Sequence, residues 1–387
     1  MKKAFAASLC ALAVCSPAPA QDVLQFTAGA SVTWDDNVFR QPAGAGASSD
    51  RFTAAYAGVR FDKTHVQQRF FLDLTRTYYS YARFSQLDFD ATQYRAAWDW
   101  RFSERLSGTL SADRSQSLVS FSEFRDPSLR NVRTSENRAL AVQYWLVGGW
   151  SLVGSLLEQE SRNSVSLLQE RGFRQRGGDF GVHYLAGSGS TLAVRRRWLS
   201  GEYLERALDA ANLVDDAFLR AETEAVMSWV LTGRSVLEGR LARIDYESAN
   251  FGARDFTGTA TRLAWRWTPA ARVSLNVAAS RDLSPSSDAF NRRVEQRLSL
   301  GGAYELGPRS ALRASAFRGT SEFREPVLAF AGALREERFT GWSLGLDWQV
   351  HRLVSVTASA QRLKRTSNDA AFDFEGTTAS LGVSVLY

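Results

Sequence analysis

Residues Tyr94 to Phe102 read YRAAWDWRF, and the fold turns on how that stretch is placed. In an extended chain Tyr94, Ala96, Trp98, Trp100 and Phe102 point one way, while Arg95, Ala97, Asp99 and Arg101 point the other. A soluble β-sandwich would press the aromatic face against a core. A membrane barrel would turn the same face outward to lipid and leave the charged face to a watery interior.

The rest of the chain repeats the pattern. In TGTATRLAWRW, Thr259, Thr261, Leu263, Trp265 and Trp267 alternate with Ala260, Arg262, Ala264 and Arg266. In FLRAETEAVMSWVL, Leu219, Ala221, Thr223, Ala225, Met227, Trp229 and Leu231 alternate with Arg220, Glu222 and Glu224. Leu298, Leu300 and Tyr304 oppose Arg297 and Ser299, and Trp342, Leu344, Leu346 and Trp348 oppose Gly341, Gly345 and Asp347. Such two-faced segments, about ten residues long, have the length that crosses a bilayer at a tilt.

Connections alternate as well. Short ones fall at 62–68, 103–105, 147–150, 187–190, 231–235, 268–271, 307–310 and near His351. Longer polar ones fall at 41–50, 82–88, 115–135, 161–171, 203–215, 247–254, 282–290, 319–336 and 364–372. This rhythm predicts an all-β protein: a closed antiparallel transmembrane barrel of about 18 strands, with short periplasmic turns and longer extracellular loops. Of the long connections, 115–135 and 319–336 are the candidates for folding inward as a constriction.

The N-terminus places the chain in an export pathway. Lys2 and Lys3, an apolar segment from Ala4 to Val14, and the small residues Ala18 and Ala20 form a secretory signal peptide over 1–20, with the barrel over 21–387. Cys15 in LAVC offers a lipoprotein reading, but Val14 is bulky for that processing. Both cysteines, Cys10 and Cys15, lie in the leader, so a disulfide framework or thiolate site is not expected beyond it. After residue 20 no apolar run is long enough for a helical span. The terminal ASLGVSVLY puts Ala379, Leu381, Val383, Val385 and Tyr387 on one face. A last strand ending on an aromatic resembles the mark by which the barrel assembly machinery recognises its clients.

Composition fits a wall with a wet side. Aromatics reach 12% and charged residues 23%, with a formal net charge of +6; lipid cannot solvate that much charge. Of the basic residues only Lys2, Lys3, Lys63 and Lys364 are lysine and all the others arginine, a bias that genome composition explains equally well. The charge is scattered and the chain exported, so nucleic acid is not an expected partner.

Chemistry has little to stand on. His65 and His351 fall in turns, and His183 lies in a strand beside no obvious nucleophile. None has a second histidine three or four residues away, so no metal or cofactor is expected. Glu222 and Glu224 share a face and could in principle act on a sugar, although such pairs in a barrel more often meet arginines across strands. No enzyme is expected. The candidate lumen-lining set is Arg95, Asp99, Arg101, Arg138, Arg195, Arg197, Arg220, Glu222, Glu224, Arg262, Arg266 and Arg297. Asp179, Glu295 and Asp347 fall on the same side. Two readings of that set stay open: an anion-favouring pore, or a salt-bridged lining that keeps a wide barrel stiff.

LQFTAGASVTWDDNVFR, RFDKTHVQQRFFLDLTRTYYSY, LDFDATQYRAAWDWRFSERLSGTLSADRSQSLVSF and RNVRTSENR resemble EpsL-type proteins of exosortase-associated extracellular-polysaccharide clusters. The likeness runs from about residue 22 to Tyr387 and is densest before about residue 150. It implies an outer-membrane protein of a Gram-negative bacterium that exports an exopolysaccharide, with outer-membrane lipid around it and periplasmic secretion components as partners. It transfers no functional residue. The architecture also looks like the alginate exporter, a barrel with an arginine-rich lumen. A small-solute or anion-selective porin, or a structural barrel with a plugged lumen, would have the same wall.

Overall fold

A computed structural model of the chain describes residues 23–42, 44–122, 126–165, 172–285, 290–326 and 334–387. The leader expected over 1–20 lies outside them. Eighteen strands follow one another in a single sheet. They are β1 (Leu24–Asp35), β2 (Asp50–His65), β3 (Gln68–Tyr81), β4 (Phe89–Arg101), β5 (Leu106–Leu118) and β6 (Val132–Trp145). Next come β7 (Trp150–Asn163), β8 (Phe173–Leu185), β9 (Thr191–Tyr203), β10 (Ala217–Thr232), β11 (Ser235–Ser248) and β12 (Phe256–Ala270). The last are β13 (Val273–Pro285), β14 (Phe290–Gly307), β15 (Ser310–Pro326), β16 (Glu336–His351), β17 (Val354–Ser367) and β18 (Phe374–Leu386).

Each strand pairs antiparallel with the next, and β1 also pairs with β18. That last ladder closes the sheet, which removes the exposed edges an open sheet would leave. Backbone bonds between Phe26 and Tyr387 in both directions finish the seam at the chain's end.

Turn chemistry sets the short ends. Between β6 and β7, Gly148 and Gly149 both have positive φ, and a Cβ on Gly149 would stand 2.3 Å from the Leu185 carbonyl oxygen, so glycine is required there. The strands run further out than alternation alone suggests. β13 continues to Pro285 and β15 to Pro326, through stretches expected to be loop. Above a lipid band a strand can keep pairing with water on both faces, and mixed polar sequence then hides its extent.

Register assigns every side chain to a face, since paired residues share one. Outside lie Leu24, Phe26, Leu72, Leu110, Leu156, Trp198, Trp265, Leu300, Trp342, Leu344, Leu381 and Tyr387, all exposed. Bare apolar area of this extent is at home only in hydrocarbon. The band ends upward in charge. Arg138 lies 3.5 Å from Glu136 and 3.6 Å from Glu158, which lies 3.3 Å from Arg176. Above them Arg174 bridges Glu160 at 2.8 Å and Glu202 at 3.2 Å. This ionic ladder crosses β6 to β9 on the outer surface.

Candidate functional site: a charged lumen with a covered mouth

The inner face carries Arg95, Asp99, Arg101, Arg195, Arg197, Arg220, Glu222, Glu224, Arg262, Arg266 and Arg297, as alternation indicates. Arg138 is the correction. It pairs with Ala112 and Glu158 on the face of Leu140, Val142 and Tyr144, so it stands outside in the ionic ladder. The signal was in the sequence: Arg138 has the parity of that apolar run. Arg240, absent from the candidate set, belongs inside opposite Arg262 and Val226; the weak alternation of LEGRLARIDY concealed it.

The densest part of the lumen is a knot on β8 to β11. Glu222 and Glu224 are each 2% exposed. Glu224 accepts from Arg240 Nε at 2.6 Å and lies 2.7 Å from Arg195 and 3.6 Å from Arg197. Glu222 meets Arg220, Arg240 at 3.3 Å and Arg197 at 3.4 Å. Arg197 also faces Asp179 at 3.6 Å, whose other contact is the Ser155 hydroxyl donating at 2.6 Å. Four guanidiniums thus hold three carboxylates. Two glutamates two residues apart on a strand would repel if left alone; the arginines on both flanking strands make the pair tolerable and leave it one positive charge in excess.

A second cluster lies across β2 to β5. Arg60 reaches Asp73 at 2.7 Å, Arg69 reaches Asp62 at 2.6 Å and Asp99 at 3.8 Å, and Thr109 donates to Asp99 at 2.7 Å. Beside these pairs open two spaces of about 660 Å³ and about 780 Å³, the first reaching Asp179 and Arg195 and the second bounded by Arg60, Arg95 and Asp113. Arg95, Arg101, Arg262 and Arg297 differ from the rest: they are exposed, and none has an ion-pair partner among the described residues, Arg297 lying instead over the Phe317 ring at 3.9 Å. At mid-height the opposite wall is mostly small, with Ser280, Ser299, Gly301, Ser315, Ser343, Ser359 and Ser380 facing in around Arg297.

Two apolar clusters narrow the extracellular mouth. Val38, Phe39, Tyr81, Leu87 and Phe121 form one, with Phe39 edge-on to Phe84 and Phe121 at 4.7 and 4.8 Å. Arg365 of β17 donates to the Ser122 carbonyl at 3.2 Å, so residues 119–122 are drawn in over the lumen; residues 123–125 lie outside the described set. The other cluster gathers Phe218, Ala242, Ile244, Tyr246, Phe256, Ala260, Leu283 and Val294. Its lining brings in β13 and β14 through the connection expected at 282–290; of the connection expected at 319–336, residues 327–333 lie outside the described residues.

Strand pairing supplies the serine that sequence did not find for His183. Ser151 Oγ lies 3.1 Å from His183 Nδ1 and accepts from Gln143 Nε2 at 2.9 Å. That serine is wholly buried, and the Trp145 ring stands edge-on to His183 at 6.0 Å. A nucleophile needs an open approach and an oriented base; this hydroxyl has neither, and the trio packs as a polar wedge. Among the described residues no group of three His, Cys, Asp or Glu side chains could hold a metal.

The fold defines a class, the closed 18-stranded barrel of outer-membrane proteins. No family model matches the chain, and no curated protein sequence matches it. Among solved structures it is similar in fold to a BenF-like porin from Pseudomonas fluorescens Pf-5, at 12% identity and TM-score 0.54 over 95% of this chain and 99% of that one. Pseudomonas aeruginosa OpdK, solved with vanillate, aligns at 11% identity and TM-score 0.53 over 94% and 99%. Pseudomonas aeruginosa OccK3 (OpdO) aligns at 14% and 0.52 over 94% and 95%.

Proposed function

We propose that this chain is an outer-membrane channel that favours anionic solutes. The observation that carries the reading is the presence of four exposed lumenal arginines, Arg95, Arg101, Arg262 and Arg297, without ion-paired carboxylates among the described residues, together with a knot that itself holds one excess positive charge. Paired arginines are already spent on their carboxylates. Unpaired ones offer weak, exchangeable forks to a passing carboxylate, sulfate or phosphate, and a conduit must bind enough to admit yet not enough to hold.

Two cargoes suit this wall. Pseudomonas aeruginosa OpdK, which shares the fold, was solved with vanillate, a small carboxylate, and supports a small-anion cargo. The EpsL-type phrases near the chain's start favour an acidic exopolysaccharide strand delivered by periplasmic secretion components, with the serine-lined half-wall sliding past sugar hydroxyls. Insertion would proceed through the barrel assembly machinery acting on the strand that ends at Tyr387.

The test is a reversal potential in planar bilayers across a potassium chloride gradient. A chloride-side potential that falls toward zero in the Arg95→Ser, Arg101→Ser, Arg262→Ser triple variant is the expected result. A cation-selective pore, or a triple variant with unchanged selectivity, sinks the reading. Deleting the protein separates the cargoes: loss of surface polysaccharide favours the polymer, unchanged polysaccharide the small solute.

A further inference from the structure

The seam between β12 and β13 is joined only in its periplasmic part. Pairing runs from Ala270 opposite Val273 up to Thr261 opposite Arg281 and stops, although β12 continues to Phe256 and β13 to Pro285. Beyond that point β13 stays paired with β14, Leu283 opposite Val294. β14 in turn stays laddered to β15 as far as Phe290 opposite Pro326, so the wall curls in from the free edge of β13 and remains joined on the β15 side.

Parity shows which way they go. Leu283 and Val294 share the face that carries Val277 and Leu300 lower down, the lipid side. Yet they are 2% and 1% exposed, packed against Ile244, Tyr246, Phe256 and Ala260, whose side chains face the lumen. An outer face can meet the inner face of neighbouring strands only if the pair has folded inward over the mouth.

The seat is built for this position. Leu283 lies over Gly258 of β12, where a Cβ would stand 2.5 Å from Leu283 Cδ2. Past the end of the ladder, guanidiniums take β12 carbonyls: Arg281 donates to Thr259 O, and Arg292 Nη1 donates to Thr257 O at 2.8 Å. Arginine forks make such bonds without requiring strand register.

We infer that the extracellular ends of β13 and β14 are a gate, freed from β12 where the β12–β13 ladder ends and hinged on the β14–β15 ladder that stays joined, and that this structure shows it closed. Leu283 and Val294 are the latch. Opening returns the pair to the wall, where β12 and β13 can resume their backbone ladder and the mouth widens. The inference rests on the channel reading, of which it supplies the regulation.

The experiment uses the full barrel in planar bilayers, with the Gly258→Cys, Leu283→Cys pair to lock the gate and, separately, the Leu283→Asn, Val294→Asn pair to release the latch. The described residues contain no other cysteine. Heat-modifiable gel migration checks that each variant is folded. Expected are low conductance in the oxidised double-cysteine barrel, at least a twofold rise on adding dithiothreitol, and a raised open fraction in the asparagine pair without reductant. Equal conductance in oxidised and reduced barrels overturns the gate in favour of a fixed constriction, as does an asparagine pair that behaves like the parent. A barrel silent in every variant overturns the channel reading itself, whereas one that conducts but ignores all these changes removes the gate alone.

Discussion

Replacing Glu224 by alanine tests whether the lumenal knot holds the wall together. The carboxylate is nearly inaccessible and has three guanidiniums around it, at 2.6, 2.7 and 3.6 Å. Each attraction is worth about 4 kcal/mol at an effective dielectric near that of a protein surface, but burial cost offsets most of it. The net worth of the pairs is therefore small, and the damage comes from what truncation leaves behind. Without Glu224, four arginines face two carboxylates, and Arg195 and Arg240 lose their closest carboxylate contacts. Breaking a buried pair in this way costs about 3–5 kcal/mol. Glu136→Ala is the control, since its partners are Arg138, 60% exposed at 3.5 Å, and Arg114, 34% exposed at 3.6 Å, and such pairs near water are each worth about 0–1 kcal/mol. The assay is urea unfolding in lipid vesicles followed by heat-modifiable migration. If the two variants shift the midpoint equally, the knot is not structural and the reasoning fails. Glu224→Gln keeps the shape and drops only the charge, so it should cost less and make the pore more anion-selective.

Leu300→Arg, in the apolar band of β14, should cost about 2–4 kcal/mol of assembly stability if it sits at mid-bilayer, read as lost heat-modifiable product. Trp98→Arg should cost less. Trp98 donates to Gln68 at 2.7 Å beside a periplasmic turn, where the penalty falls to about 0–1 kcal/mol. In the 204–216 connection, burial raises the Asp215 carboxyl, but the Ser248 hydroxyl and the Asn250 backbone and amide donors outweigh it and hold it well below the usual carboxylate range. A depressed folded value means the contribution is complete above the unfolded value of about 3.9 and is lost as pH falls through the folded one. Protease cutting of this loop should therefore stay constant from pH 7 to about 4 and rise only in stronger acid, whereas Asp215→Ala should be cut at every pH with the barrel intact.

The barrel was legible because period-two alternation is a direct image of a wall with two solvents. YRAAWDWRF kept its two faces, and so did the strands holding Trp265 and Trp342. Arg138 was misplaced because β6 mixes Glu136 and Arg138 with Leu140, Val142 and Tyr144 on one side; lipid ends partway up the strand, and an alternation rule has no way to mark that height. The inward turn of β13 and β14 was illegible for a related reason. Leu283 and Val294 obey the lipid-facing parity to the end, and only the break in pairing after Arg281 reveals that their face now meets the lumen. Ser151 beside His183 needed a long-range register that no local pattern carries.

The arginines, alike in sequence, divide by what surrounds them. Arg195, Arg197, Arg220 and Arg240 are held by Glu222, Glu224 and Asp179, and a passing anion would have to displace a buried carboxylate to claim one. Arg101, Arg262 and Arg297 have no ion-paired carboxylate among the described residues, and Arg95 has Asp73 and Asp113 beside it in register without an ion pair to either. Selectivity should then respond to the free set with little change in stability, and stability to the knot with only an indirect change in selectivity. The two open spaces lie along β2 to β9, on the side of Arg95 and Arg101, while β13 and β14 fold in over β10 to β12. A solute path along the first side would be available with the latch closed; opening it would add width beside Arg262, as a bulky polymer needs and a small anion does not. The gate variants should therefore change the passage of a bulky polymer more than they change chloride conductance.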